Sequence, residues 1–266
     1  APVATPSVAS GLEDTALPIR LGGSDADGHI VSVTLTGMPT GSTVLLADGV
    51  TPVLLGQALS PSDAASLLFK PAPDFNGGTS LTFTVTDNSG AVSPPQSVAI
   101  NVMAVNDAPV TFADSATTLE DTPISGNLLL NDRDIDGPAL SVIGFDVAGT
   151  SYAAGATAAL NGIGSLTIGA DGRYTFTPAA NYFGAVPVVT TTVSDGSLTS
   201  NSTLTLSVTS VNDTPALAAD LASTPINTPL TIDVLANDRD ADGDALTVSN
   251  AALTNPAQGT VSVNPD

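Results

Sequence analysis

The sequence contains no cysteine and no tryptophan, and only one histidine, His29. A disulfide framework and thiolate ligation are therefore excluded, and zinc is disfavoured. A catalytic triad would need His29 beside a nucleophile and a carboxylate. It follows an Asp-Ala-Asp-Gly turn instead, so a solvated side chain is expected. Basic residues are scarce as well: 5 stand against 26 acids, for a net charge of -21. Nucleic acid and anionic membranes both need positive charge, so neither is an expected partner. No run of 18 apolar residues occurs, so no membrane-spanning helix is expected. The opening stretch APVATPSVAS lacks the basic and apolar regions of a signal peptide, and the chain reads as a piece excised from a longer one. Aromatics make up 4% of residues, which leaves little material for a sugar-binding platform.

Glutamate is the most informative scarcity. The acids comprise 24 Asp and only two Glu, Glu13 and Glu120. Lys and Glu usually fill exposed helix faces, whereas Thr, Val, Ser and Gly abound here, which favours strands and turns. Apolar residues alternate with Thr and Ser: Val31, Val33 and Leu35; Leu81, Phe83 and Val85; Leu204, Leu206 and Val208. This period of two marks strands with one buried face.

The chain also repeats itself. LEDT occurs at 12–15 and 119–122, VNDAP at 105–109 returns as VNDTP at 211–215, and PAPDFNG at 71–77 returns as PAANYFG at 178–184. NDRDIDG at 131–137 returns as NDRDADG at 237–243, and the Asp87 turn returns at Asp195. All offsets fall between 106 and 109 residues. The expected organisation is a first repeat over 1–105, a second over 106–211, and the N-terminal half of a third over 212–266. Roughly six to eight short strands per repeat, punctuated by turn signals, predict an all-β chain of tandem β-sandwiches. An isolated half sandwich would leave strand edges open.

Counting strands places the acids. The first strand of a repeat runs away from the preceding linker, the second returns, and a late hairpin turns back at the same end. Asp132, Asp134, Asp136 and Asp195 then lie beside the linker residues Asn106 and Asp107, where the end of repeat 1 also brings Glu13 and Asp14. The next junction gathers Glu120, Asp121, Asn212, Asp213, Asp238, Asp240 and Asp242. Asp25, Asp27 and Asp87 form a sparser set at the outer end of repeat 1. Leaving so many carboxylates together without a counter-ion costs several kcal/mol. Roughly six to eight hard oxygen donors in irregular geometry suit Ca²⁺ better than Mg²⁺. An EF-hand is excluded although NDRDIDG begins like one: position 12 counted from Asp132 is Ile143, and from Asp238 it is Ser249, neither a bidentate glutamate.

The order LED, linker ND, DxDG and a turn Asp resembles the calcium pattern of cadherin repeats. VNDAP, DxDxDG and GADGRYTFTPAANYFG further resemble the cadherin-like tandem repeats of large, type I-secreted bacterial RTX-type adhesins. The resemblance implies end-to-end Ig-like or cadherin-like sandwiches that extend a rod from the bacterial surface and serve cell adhesion and biofilm formation. It implies calcium and the neighbouring repeats as partners, with host or abiotic surfaces, or another adhesin chain, contacted through other regions. Two departures stand out: Gly23 replaces the first loop aspartate in repeat 1, and STPINTP replaces LEDT in repeat 3.

Other features take ordinary readings. Asp171–Gly172 reads as a hairpin turn. Glu13 and Asp14 are adjacent on a turn and do not face each other across a cleft, as a glycosidase pair must. Phe75, Tyr182 and Phe183 read as core plugs, and Arg133 and Arg239 as partners for nearby carboxylates. The leading expectation is a calcium-rigidified extender segment without enzymatic activity. The alternative is a glycan- or protein-binding Ig-like module of the same adhesin.

Overall fold

The computed structural model describes residues 1–137 and 139–264. They fall into two compact units, Ala1–Asp107 and Ala108–Asp266. Each contains ten strands among its described residues, above the expected six to eight because early strands are interrupted. In the first unit, Pro6 has no N–H to offer a ladder, and the opening segment divides into Val3–Ala4 and Ser7–Leu12.

The first unit pairs a five-stranded sheet with a three-stranded one. The larger runs Ser7–Leu12, Gln96–Met103, Gly77–Asp87, Ile30–Gly37, Ala58–Leu59, and the smaller Leu17–Ile19, Leu67–Lys70, Thr43–Leu45. Leu81, Phe83 and Val85 are all buried, as alternation requires, and they pack with Leu35, Leu67 and Phe69. Val31 breaks the expected pattern at 44% exposed. A bulge between Ile30 and Ser32 inserts one residue into the ladder and turns Val31 outward.

The second unit repeats the plan. One sheet orders Asp114–Leu119, Thr199–Thr209, Val189–Ser194, Ser141–Val147 and Thr150–Ala153, with Gly184–Ala185 also paired to Thr199–Thr209. The other orders Ile124–Asn127, Arg173–Pro178, Gly164–Ile168 and Thr157–Leu160. Phe145, Phe176, Leu166, Leu204 and Leu206 fill the space between them.

One pairing positions everything that follows. In both units the first long strand lies parallel to the last. Ser7–Leu12 is matched to Val98–Met103, and Asp114–Leu119 to Leu204–Thr209. The two strands therefore finish at the same end, where the Glu13 N–H bonds the Met103 carbonyl and the Glu120 N–H the Thr209 carbonyl. Each LEDT stretch is thereby held against the exit of its own last strand.

Where a half sandwich was expected, the described residues of 212–266 form no sheet. Among its described residues there are one bridge, Ala216 to Arg239, and one 3-10 turn, Pro256–Gln258. In the second repeat the first strand pairs with Thr199–Thr209 and the second with Arg173–Pro178. Neither partner strand has a counterpart among the described residues of 212–266.

Three further expectations need correction. Phe183 is 44% exposed, whereas Phe75 and Tyr182 pack partly against the cores. The Arg133 guanidinium lies 5.5 Å from the Phe112 ring centroid, a cation–π contact in place of an ion pair. Arg239 donates to the carbonyls of Ala236 and Asp238. His29 is exposed, as expected.

Candidate metal centre

The exit end of the first unit gathers Glu13, Asp14, Asn106 and Asp107. Glu13 is 2% exposed. Its Oε1 accepts the Val105 N–H at 2.7 Å and its Oε2 accepts from Asn76 Nδ2 at 3.3 Å. Asp14 has a φ of 57°, a left-handed conformation that short polar side chains tolerate. Its Oδ1 accepts the N–H of Asp74, itself at φ 55°. One carboxylate oxygen from each of Asp14, Asp74 and Asp107 lies within 4.8 Å of the others.

The second unit reproduces this clamp. Glu120, 4% exposed, accepts the Val211 N–H, and Asp121 Oδ1 accepts the Asn181 N–H at 3.1 Å. Asp121 and Asn181 are again left-handed, at φ 56° and 55°. Asp74 and Asn181 were missed by sequence reasoning. They occupy the same place in PAPDFNG and PAANYFG, and a short polar residue there was the available signal.

Within the second unit, residues from 212–266 also reach this end. Asp242 Oδ2 accepts the Asp213 N–H at 2.7 Å and its Oδ1 accepts the Ser210 hydroxyl at 2.9 Å. Asp240 Oδ1 accepts from the N–H groups of Asp242 and Asp244, curling the loop. Asp238 Oδ1 accepts the Ala218 N–H, and Asn212 Nδ2 donates to the Asp213 carbonyl. Asp213 Oδ2 is buried without a hydrogen-bond partner.

The other end of the second unit holds the NDRDIDG loop and the Asp195 turn. Val110 bridges Arg133, and Ser141 lies opposite Ser194. Asp132 Oδ1 accepts the Phe112 N–H at 2.8 Å, and Asp134 Oδ1 the Asp136 N–H at 2.9 Å. Asp195 Oδ1 accepts from Ser197 and Leu198, an ordinary Asx turn. Asp114 was also missed. Its Oδ1 accepts from Asn131, while Oδ2 of Asp114, Asp132 and Asp134 are buried without hydrogen-bond partners. Asp220, Asp238 and Asp240 repeat that triplet, whereas repeat 1 carries Ser7 and Gly23 at the first two positions.

The corresponding end of the first unit is plainer. Asp25 and Asp27 each lie 3.5 Å from the N-terminal ammonium group. Asp87 Oδ1 accepts from Ser89 and Ala91 and closes its own turn.

A buried polar atom without a partner is costly, more so when charged. These donor sets consist of oxygen alone, in irregular loops, with several carboxylate oxygens turned inward. They fit a hard, oxygen-seeking cation such as Ca²⁺ and offer nothing to a soft metal. Burial raises the carboxyl pKa of Asp114, with the Asp132 charge adding to it, and burial likewise raises Asp132. A carboxyl raised in the folded state favours folding below its unfolded pKa and loses that contribution as pH climbs through the folded value. In chelator, Asp114→Asn should therefore stabilise the chain more at neutral pH than near pH 4. Paired urea titrations at the two pH values check this, and an equal gain at both would refute it.

The comparisons with known proteins agree with the fold. The family of bacterial cadherin-like domains matches residues 106–210, and that of bacterial Ig domains matches 1–101 and 212–266. Similar solved structures include human protocadherin-24 EC1-2, at 15% identity over 79% of this chain and 99% of that one, with a TM-score of 0.44. Drosophila N-cadherin EC1-3 is 15% identical over 79% of this chain and 68% of that one, TM-score 0.29. The D00-D0 domain of intimin is 12% identical over 77% and 99%, TM-score 0.34. No curated protein matches the chain.

Proposed function

Because this chain belongs to the bacterial Ig-domain family, we propose that it is a calcium-rigidified extender segment of a bacterial surface or secreted adhesin. Bacterial Ig and cadherin-like domains are typically non-enzymatic structural modules and point to an extracellular, adhesin-type protein. No helix among the described residues is long and apolar enough to cross a membrane. Cadherin-like domains commonly bind calcium, and that family matches residues 106–210. The repeats in this reading are 1–105, 106–211 and 212–266. The parent adhesin would be of the RTX type, exported by type I secretion and acting in adhesion and biofilm formation.

The observation that carries the reading is the gathering of inward-turned carboxylate oxygens beside the linkers: Asp14, Asp74 and Asp107 each bring one oxygen within 4.8 Å of the others. At the second linker, Glu120 and Asp242 accept the Val211 and Asp213 N–H groups, and Asp213 Oδ2 is buried with no hydrogen-bond partner; Asp121 would add its carboxylate from the same end of the unit. Asp238 and Asp240 belong to the same loop as Asp242. Glu13, Asp14, Asn106 and Asp107 form the matching set at the end of the first unit, and Asp132, Asp134, Asp136 and Asp195 the loop set of the second. Asp25, Asp27 and Asp87 would hold a cation less well. The cation supplies positive charge that offsets carboxylate repulsion; the chain's residues supply the oxygens and fix where they point.

Extracellular calcium modules bind at about 10⁻⁴–10⁻³ M. Isothermal titration of the whole chain should give saturable calcium binding in that range, reduced by Asp213→Asn with Asp242→Asn. A flat titration at millimolar calcium would sink the reading.

A further inference from the structure

We propose that Glu13 and Glu120 are positioning residues that fasten the linkers to their own units by direct hydrogen bonds, with or without a cation. Each is buried and accepts the N–H of the first linker residue, Val105 or Val211. The partners lie 92 and 91 residues apart in sequence, so neither contact is a local turn. The same arrangement arises in two units with separate cores.

The choice of residue follows from reach. Everywhere else the chain uses aspartate as its acid. Its two glutamates stand only where a carboxylate must extend from the end of the first strand to the chain leaving the last one. The extra methylene spans that step. At the second linker another acid also holds on: Asp242 accepts the Asp213 N–H and the Ser210 hydroxyl. Two linker N–H groups are thus bound by two different acids.

A cation would then meet a linker whose first residue is already held by its own unit. That corollary rests on the calcium reading above; the hydrogen-bonded fastening does not. Two variants separate reach from charge. Glu120→Gln keeps the length and an acceptor oxygen but loses the charge. Glu120→Asp keeps the charge but falls short. Amide hydrogen exchange of Val211, followed by NMR on the whole chain in chelator, reads the bond directly.

The expected order is protection in the parent and Glu120→Gln chains, and exchange faster by roughly tenfold or more in Glu120→Asp. The amides of Val193 and Leu204 serve as a check that each variant is folded. If Glu120→Asp stays protected and Glu120→Gln does not, charge governs and the proposal is overturned. It is also overturned if the parent Val211 amide is protected only with calcium present, a result that leaves the calcium reading standing. Protection in chelator with no calcium binding in a parallel titration would keep this inference and remove the other.

Discussion

Saturating calcium should raise the melting temperature of the chelated chain by roughly 10 °C or more. A ligand at about 100 times its Kd stabilises the state it binds by about 2.7 kcal/mol. For a domain of about 100 residues, each kcal/mol moves the midpoint by about 4–8 °C. The physical source is repulsion relieved at the buried carboxylates. Asp114 and Asp132 both have raised pKa values, which means that the folded protein holds their ionised forms at a cost. Oδ2 of Asp132, Asp134 and Asp213 is buried with no hydrogen-bond partner, so a cation bound there offsets an existing penalty. Magnesium at equal concentration should shift the melt far less, because it demands a near-ideal octahedron and sheds water reluctantly. Differential scanning calorimetry with calcium, magnesium and chelator makes the comparison. Superimposable traces would show that the acids are stable as they are.

Phe176→Ala should cost about 3–5 kcal/mol, and the loss should fall on the second unit. Phe176 has no measurable exposure and sits among Leu166, Ile168, Leu204 and Val193. Removing its ring leaves a cavity that two opposed sheets cannot close, because each is held by its own ladder. The core of the first unit is built from other residues, centred on Phe69 and Phe83. Calorimetry of Phe176→Ala should therefore show one transition displaced downward and one nearly unmoved, and Phe83→Ala should reverse the pattern. Equal displacement of the whole melt by either substitution would mean that the two cores stand or fall together.

Much of the fold could be read from period-two alternation. Leu81, Phe83, Val85, Leu204, Leu206 and Val208 are buried as the pattern requires. Val31 escaped because a bulge depends on a neighbouring strand, which a local pattern does not record. The two ends within a repeat were also legible, since counting strands puts LEDT at one and NDRDIDG at the other. Asp114 was not: it lies inside a strand that alternates normally, and only its nearness to Asp132 distinguishes it. Asp74 and Asn181 were hidden for a different reason. Their contribution is a backbone N–H offered from a left-handed turn, which leaves little trace in residue identity. Arg133 was assigned to a carboxylate because acids surround it in sequence, yet its guanidinium lies over the Phe112 ring. For 212–266, the repeat comparison predicted strands, but the described residues there form only one bridge and one 3-10 turn, because a strand exists only with a neighbour.

The parallel match of first and last strands has a mechanical consequence. Tension applied through the chain would pull the two strands of each unit along their length in opposite directions. In each unit six residue pairs face one another across that match, from Ser7–Val98 to Leu12–Met103 and from Asp114–Leu204 to Leu119–Thr209. Loaded in shear, their hydrogen bonds must rupture together; a hairpin pulled from its open end would unzip one bond at a time.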